Sequence, residues 1–157
     1  MATDTTPPVA AYEDPELGVW LMPPSADFEI LTGEAAAALS ADAAVAMTNN
    51  LKCRGYVTVA AADGKSAEQA AEVVRGGFDL SEARVVEDDA VIYCGKTGWR
   101  VEAWGKNAAG EPAARRATFL VEGGRLYTVY ALGDNTIHTR MRRCLDSVTA
   151  AFDLLAD

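Results

Sequence analysis

Four strand-like segments follow one another between residues 83 and 133, and they constrain the fold more than any other feature of the chain. Each segment is rich in β-branched and aromatic residues or alternates apolar with polar residues. The segments are ARVVEDDAVIYCG, GWRVEAWGKN, ARRATFLVEG and RLYTVYALG, and they are joined by GKTG, NAAGEP and EGG. Because strands this closely spaced pair with their neighbours, the sequence predicts an antiparallel meander.

One helix is predicted before this meander and one after it. Ser66 opens the pattern S-x-x-Q with Gln69, a capping box, and apolar residues follow at helical spacing until Gly76-Gly77. The last helix, capped by Asp134 or Asn135, carries one apolar stripe: Ile137, Met141, Cys144, Leu145, Val148, Phe152 and Leu155. Both helices need a surface to cover, so the predicted class is α+β, a mainly antiparallel sheet with helices packed on it.

The N-terminal part of the chain gives weaker signals. Residues 1–16 are predicted to form a tail or an edge segment, and residues 17–157 a single domain. The apolar runs LGVWLMPP and DFEIL predict two short strands or one broken edge strand, because two prolines separate them. Residues 34–50 leave two alternatives open: the alanines favour a helix, whereas AVAMTNNLKCRGYVTV could turn as a hairpin at Asn49-Asn50.

These segments together resemble the PsbP-like superfamily. The resemblance lies in the strand with Trp20, the strand from Phe28 to Ile30, GKSAEQAAEVV, the meander and the ending CLDSVTAAFDL, and it covers most of residues 17–155. It implies an α-β-α sandwich. The superfamily includes photosystem accessory subunits, binders of a small GTPase and Eag-type chaperones of secretion effectors, so the resemblance implies a protein-binding role and does not choose among these. No binding residue is carried over from it.

The charge of the chain limits the classes of partner that it can bind. The net charge is −9, and residues 1–50 hold eight acids and no Lys or Arg. This distribution argues against nucleic acid and against anionic membranes, which both need basic surfaces. No apolar run approaches the length of a membrane span, and the first residues lack the basic and apolar regions of an export signal. We expect a protein partner, a cytoplasmic location and no membrane insertion, and a second copy of the chain, giving a homodimer, is an alternative.

The three cysteines, Cys53, Cys94 and Cys144, have no metal-like spacing and cannot all pair within one chain. We expect all three to be reduced, buried thiols, which agrees with a reducing cytoplasm.

No group of residues has the pattern of a catalytic site. CGKT at residues 94–97 ends like a P-loop, but a strand signal follows it instead of a helix, which favours a hairpin turn. His138 is the only histidine, and no orienting acid or nucleophile is indicated for it. Glu87-Asp88-Asp89 lack the spacing of a calcium loop and are interpreted as a charged turn. We therefore expect no catalytic residue, no metal and no cofactor.

Trp104 is the candidate for function. It lies on the polar side of the strand GWRVEAWGKN, beside charged residues. Either the helix of residues 66–77 covers it, or it is an exposed aromatic residue in a contact surface. The residues of that predicted surface are Trp104, Arg100, Glu102, Lys106 and Leu120. The predicted function is a non-catalytic, adaptor or chaperone-like protein-binding domain, and the alternative is a small-molecule carrier or small hydrolase with a pocket between sheet and helix.

Overall fold

The computed structural model describes residues 10–49 and 52–155, which build a seven-stranded antiparallel sheet with the strand order β3-β4-β5-β9-β8-β7-β6. The strands are β3 (Glu29–Thr32), β4 (Val45–Thr48), β5 (Cys53–Ala61), β6 (Ser81–Tyr93), β7 (Lys96–Lys106), β8 (Pro112–Glu122) and β9 (Arg125–Asp134). The last four are consecutive neighbours, which confirms the predicted meander.

Two tight turns hold the meander in register. Cys94 and Gly95 have positive φ angles of 53° and 73°, and Gly123 and Gly124 have 59° and 77°. Two consecutive residues with positive φ form the turn whose twist matches a two-residue hairpin. The sequence CGKT is therefore a hairpin turn, as predicted, and no helix follows it.

A second, three-stranded sheet has the order β1-β2-β10, with β1 at Tyr12–Asp14, β2 at Val19–Leu21 and β10 at Phe152–Leu154. Strand β10 pairs with β2, so the end of the described chain packs against its beginning. Three residues of the apolar stripe predicted for the last helix lie outside it: Ile137 precedes the helix and is 63% exposed, Phe152 begins β10 and is buried, and Leu155 follows β10.

The helices are α1 (Gly33–Leu39), α2 (Ala67–Ala70), which continues as a 3₁₀ turn (Ala71–Val74), and α3 (His138–Ala151). The capping box of Ser66 and Gln69 is confirmed. The predicted cap of α3 is wrong: the helix follows Ile137, and no side chain caps it. The Asp134 carboxylate instead accepts hydrogen bonds from Arg54 and Arg115 at 2.7 and 3.0 Å.

The helices cover both faces of the large sheet. Helix α3 and the small sheet bury one face, in a core that includes Leu21, Val57, Leu145 and Val148. Helix α2 and its 3₁₀ turn cover part of the other face against Val101, Ala117 and Phe119. The predicted α+β class with helices packed on an antiparallel sheet is confirmed.

The two alternatives for residues 34–50, a helix and a hairpin, are each partly correct. The alanine-rich stretch forms α1, and the residues after it form β4, which pairs with β5 as one arm of a hairpin. Asn50 itself lies outside the described residues. Among the described helices, none has the length and apolar character that crossing a bilayer requires.

Candidate functional site

Polar and aromatic side chains form a ladder across β7 and β8, on the sheet face beneath α3. The antiparallel register sets three pairs side by side: Arg100 with Thr118, Glu102 with Arg116, and Trp104 with Ala114. Alternation along β7 was predicted correctly, and the polar side of the strand is the side that α3 covers. Some of the charged side chains on the same side of β7 as Trp104 are therefore buried beneath α3.

The central pair of this ladder is a buried ion pair. The side chains of Glu102 and Arg116 are only 4% and 7% exposed, and a guanidinium nitrogen lies 2.7 Å from Glu102 Oε1. Arg116 also reaches Asp146 at 2.8 Å and donates to Thr149 Oγ1 at 3.4 Å. Since Asp146 and Thr149 belong to α3, this guanidinium connects the helix to the sheet.

Trp104 is held against this network. Its indole Nε1 donates a hydrogen bond to Glu102 Oε2 at 2.8 Å, and its ring stacks on the His138 imidazole with centroids 4.2 Å apart and planes at 25°. The Arg142 guanidinium lies 5.7 Å from the indole centroid. Trp104 is half-buried, whereas His138 and Arg142 are exposed. We name Trp104, His138 and Arg142 the tryptophan patch.

The first alternative for Trp104, that residues 66–77 cover it, is wrong. Helix α2 and its 3₁₀ turn pack on the opposite face, against Trp99 and Val101. The indole lies beside the first turns of α3 and keeps part of its surface open to solvent. Its role in a contact surface stays a prediction.

The other four residues of the predicted surface differ in exposure. Leu120 is 1% exposed and lies in the core beneath α3, and Glu102 is buried in its ion pair, so neither lies on a contact surface. Arg100 is half-buried and donates to Thr118 Oγ1 at 3.1 Å, and burial followed by the nearby Arg116 lowers the pKa of its guanidinium. Lys106 is exposed and pairs with Glu82 at 2.8 Å.

Sequence reasoning missed the contribution of α3 to this site. It assigned no partner to His138, which is the first residue of α3. His138 and Arg142 are spaced i, i+4 and therefore share one side of the helix. That spacing could have indicated that His138 and Arg142 lie together. It could not indicate that they face Trp104 of β7, because the packing of α3 on the sheet decides which strand this side of the helix faces.

The prediction of three reduced cysteines is wrong. Cys53 of β5 and Cys144 of α3 form a disulfide, with Cα atoms 5.7 Å apart, and Cys94 is free. Helix α3 crosses over β5 and β9, which brings together two residues 91 positions apart. The cytoplasmic expectation loses the support that it took from free thiols.

The Cys94 thiol is expected to react slowly with alkylating reagents. Burial, followed by its interaction with Asp153, raises its pKa to about 12, so the neutral thiol dominates at ordinary pH. We expect iodoacetamide to modify the folded protein at pH 8 at least about tenfold more slowly than a cysteine with a pKa near 8.5, by intact mass. Labelling as fast as that of an unfolded control would contradict this prediction.

No group of three or more His, Cys, Asp or Glu side chains within residues 10–49 and 52–155 could hold a metal ion. Glu87, Asp88 and Asp89, interpreted from sequence as a charged turn, lie instead within β6. That strand is an edge of the large sheet, where charged side chains hinder pairing with a further strand.

No protein-family model and no curated protein matches this chain. Several solved structures, however, do match it. Cyanobacterial PsbP from Synechocystis superposes with a TM-score of 0.63 at 13% identity over 98% of both chains. LpqN of Mycobacterium tuberculosis, a protein involved in cell envelope biogenesis, matches with a TM-score of 0.57 at 9% identity over 97% of this chain and 88% of its own.

The Ran-binding protein Mog1p of Saccharomyces cerevisiae also matches, with a TM-score of 0.57 at 8% identity over 94% of this chain and 96% of its own. Identities this low carry no site residue across. The matches nevertheless span nearly the whole of each chain, and the chain therefore has the PsbP-like fold.

Proposed function

We propose that this chain is a non-catalytic protein-binding domain and that the tryptophan patch is its contact site. The observation that carries the proposal is the fixed, partly exposed indole of Trp104. Its position is set by a buried carboxylate on one side and by the first residue of α3 on the other.

Trp and Arg are the residue types most enriched among those that dominate binding energy at protein interfaces. An indole already held by a hydrogen bond and a ring stack loses little conformational freedom when a partner covers it. The tryptophan patch combines both properties, because Arg142 lies beside the ring and remains exposed. Lys106 and Arg100 of the predicted surface belong to the same strand as Trp104.

The fold supports this proposal in a general way. Mog1p, a Ran-binding protein, shows that the PsbP-like fold can serve protein binding. Which partner this chain binds depends on the residues of its own surface. We propose that the chain has an adaptor or chaperone-like role. A second copy of the chain is the alternative partner.

The location of the chain stays a prediction. Disulfides persist in oxidising compartments and are rare in a reducing cytoplasm. A cytoplasmic location would therefore require the Cys53–Cys144 disulfide to persist in a reducing compartment.

Trp104→Ala is expected to weaken partner binding by about 30-fold, which corresponds to about 2 kcal/mol for an aromatic residue that dominates an interface. The partner is first recovered by affinity capture and mass spectrometry from the organism that encodes the chain. Its affinity for purified wild type and variant is then measured by calorimetry.

Trp99→Ala is the matched control. Trp99 lies on the same strand but the opposite face, is also half-buried, donates to Asp88 at 2.6 Å and has the Arg75 guanidinium 5.6 Å from its ring. We expect this variant to bind like the wild type. Equal losses in both variants, or undiminished binding by Trp104→Ala, would contradict the proposal. If light scattering shows that the wild type is a dimer and Trp104→Ala a monomer, the partner is a second copy.

A further inference from the structure

A groove of about 620 Å³ opens beside α3, and Trp104, His138 and Arg142 are not among the residues that line it. Helix α3 contributes side chains at i, i+3, i+4 and i+7, so one side of the helix forms a wall over two turns. The remaining lining comes from the segment between β2 and β3, from the ends of β4, β5 and β9, and from residues 135–136. The apolar lining consists of Pro24, Phe28, Gly133 and the disulfide-bonded Cys53 and Cys144.

Among the described residues that line the groove, the charged ones are all cations. They are Lys52, Arg140 and Arg143, with no Asp or Glu in this described lining, although the whole chain has a net charge of −9. Lys52 lies 4.0 Å from Glu111, at the limit of an ion pair. Within residues 10–49 and 52–155, the guanidinium groups of Arg140 and Arg143 have no ion-pair or hydrogen-bond partner.

Helix geometry adds to the positive potential. Arg140 and Arg143 lie in the first two turns of α3, where the helix dipole disfavours cations. The first turn contains no acid that would compensate them. Two cations placed against the dipole, with no described counter-charge, give the groove an electrostatic preference for an anion.

The groove is also held in shape. The Cys53–Cys144 disulfide lines it and joins β5 to α3, and therefore fixes the spacing between two of its walls. A preformed site loses less entropy on binding than one that must assemble. Its volume is in the range of sites for one small molecule, about 300–1,000 Å³.

From these features we propose that the groove binds an amphipathic organic anion, a carboxylate or phosphate head on an aliphatic body. Arg140, Arg143 and Lys52 bind the head, with hydroxyl groups of Thr136 and Ser147 available as further donors. Pro24, Phe28 and the disulfide contact the body. This site is distinct from the tryptophan patch, and it agrees with the carrier function that the sequence left as the alternative.

The test measures the binding of decanoate and decyl phosphate to the full chain by titration calorimetry. We expect a Kd of about 1 mM or tighter for a ligand of this size. Arg140→Gln/Arg143→Gln is expected to weaken binding at least about tenfold, because charge-assisted hydrogen bonds to the head are lost. Ser147→Phe, which places a ring in the groove without changing charge, is expected to weaken it as well.

Arg84→Gln is the control, since it removes one exposed positive charge but does not line the groove or belong to the tryptophan patch. We expect it to bind decanoate within about twofold of the wild type, a difference below 0.5 kcal/mol. Thermal unfolding checks that each variant is folded, which the exposure of the three arginines favours.

Several results would overturn the proposal. They are the absence of decanoate and decyl phosphate binding to the wild type, equal binding of decyltrimethylammonium, and equal binding by Arg140→Gln/Arg143→Gln. Acetate or inorganic phosphate binding as tightly as the ten-carbon ligands would show that the groove does not recognise the aliphatic body. Binding of a hexaglutamate peptide but not of decanoate would assign the groove to an acidic protein segment.

Discussion

Arg116→Met is expected to lower the free energy of unfolding by about 3–5 kcal/mol, because it leaves a buried carboxylate without its counter-charge. The Glu102 side chain is 4% exposed, and Arg116 is its near neighbour at 2.7 Å. In the variant, the partners left to the Glu102 carboxylate among the described residues are the Trp104 indole, by its hydrogen bond, and the distant Arg142 at 3.9 Å. Urea unfolding at neutral pH measures the loss.

The double variant Glu102→Leu/Arg116→Met tests whether the loss of stability comes from the unpaired Glu102 carboxylate. Replacing both members of a buried ion pair with apolar residues of similar size is often neutral or stabilising, so we expect it to recover most of the loss. Arg100→Met serves as the control, because Arg100 is half-buried and its side chain donates a hydrogen bond to the neutral Thr118 hydroxyl. A loss below about 1 kcal/mol for Arg116→Met would mean that the pair is not buried as described.

Removal of the Cys53–Cys144 disulfide is expected to cost about 2–5 kcal/mol, toward the upper end because the bond closes a long loop. The two cysteines are 91 residues apart, so the cross-link restricts much of the unfolded chain. Urea unfolding of Cys53→Ala/Cys144→Ala, compared with the wild type, measures the cost. Cys94→Ser, which leaves the disulfide intact, should lose much less.

Thiol counting gives an independent check of the same bond. The unfolded, unreduced protein is expected to show one free thiol, that of Cys94, and three after reduction. Three thiols without reductant would contradict the disulfide and restore the expectation of reduced cysteines.

The disulfide and the Glu102–Arg116 pair both fasten α3 to the large sheet. The disulfide joins the helix to β5, and Arg116 connects β8 with Asp146 of α3. The two proposed binding sites lie beside this helix, one at Trp104 and one along the side that carries Arg140 and Arg143. Their geometry thus depends on how firmly α3 is held.

The residues of the candidate site were predicted less well than the strand that carries them. Trp104 was singled out because it breaks the pattern of its strand, and it lies in a defined polar environment. Leu120 and Glu102 were placed on the same surface because alternation assigns residues to a face. Alternation does not say which face a helix will cover, and α3 covers this one.

The sequence by itself determined the meander, its turns, the capping box of α2, the part of the apolar stripe that runs from Met141 to Val148 of α3, and the α+β class. Each of these follows from residues within a few positions of one another, where alternation, helical spacing and turn chemistry act. Tertiary structure alone decided that Glu102 and Arg116 are buried together, that Cys53 bonds Cys144, and that Trp104 stacks on His138. These contacts depend on the strand order and on the placement of α3, because only the assembled sheet brings such distant residues into reach.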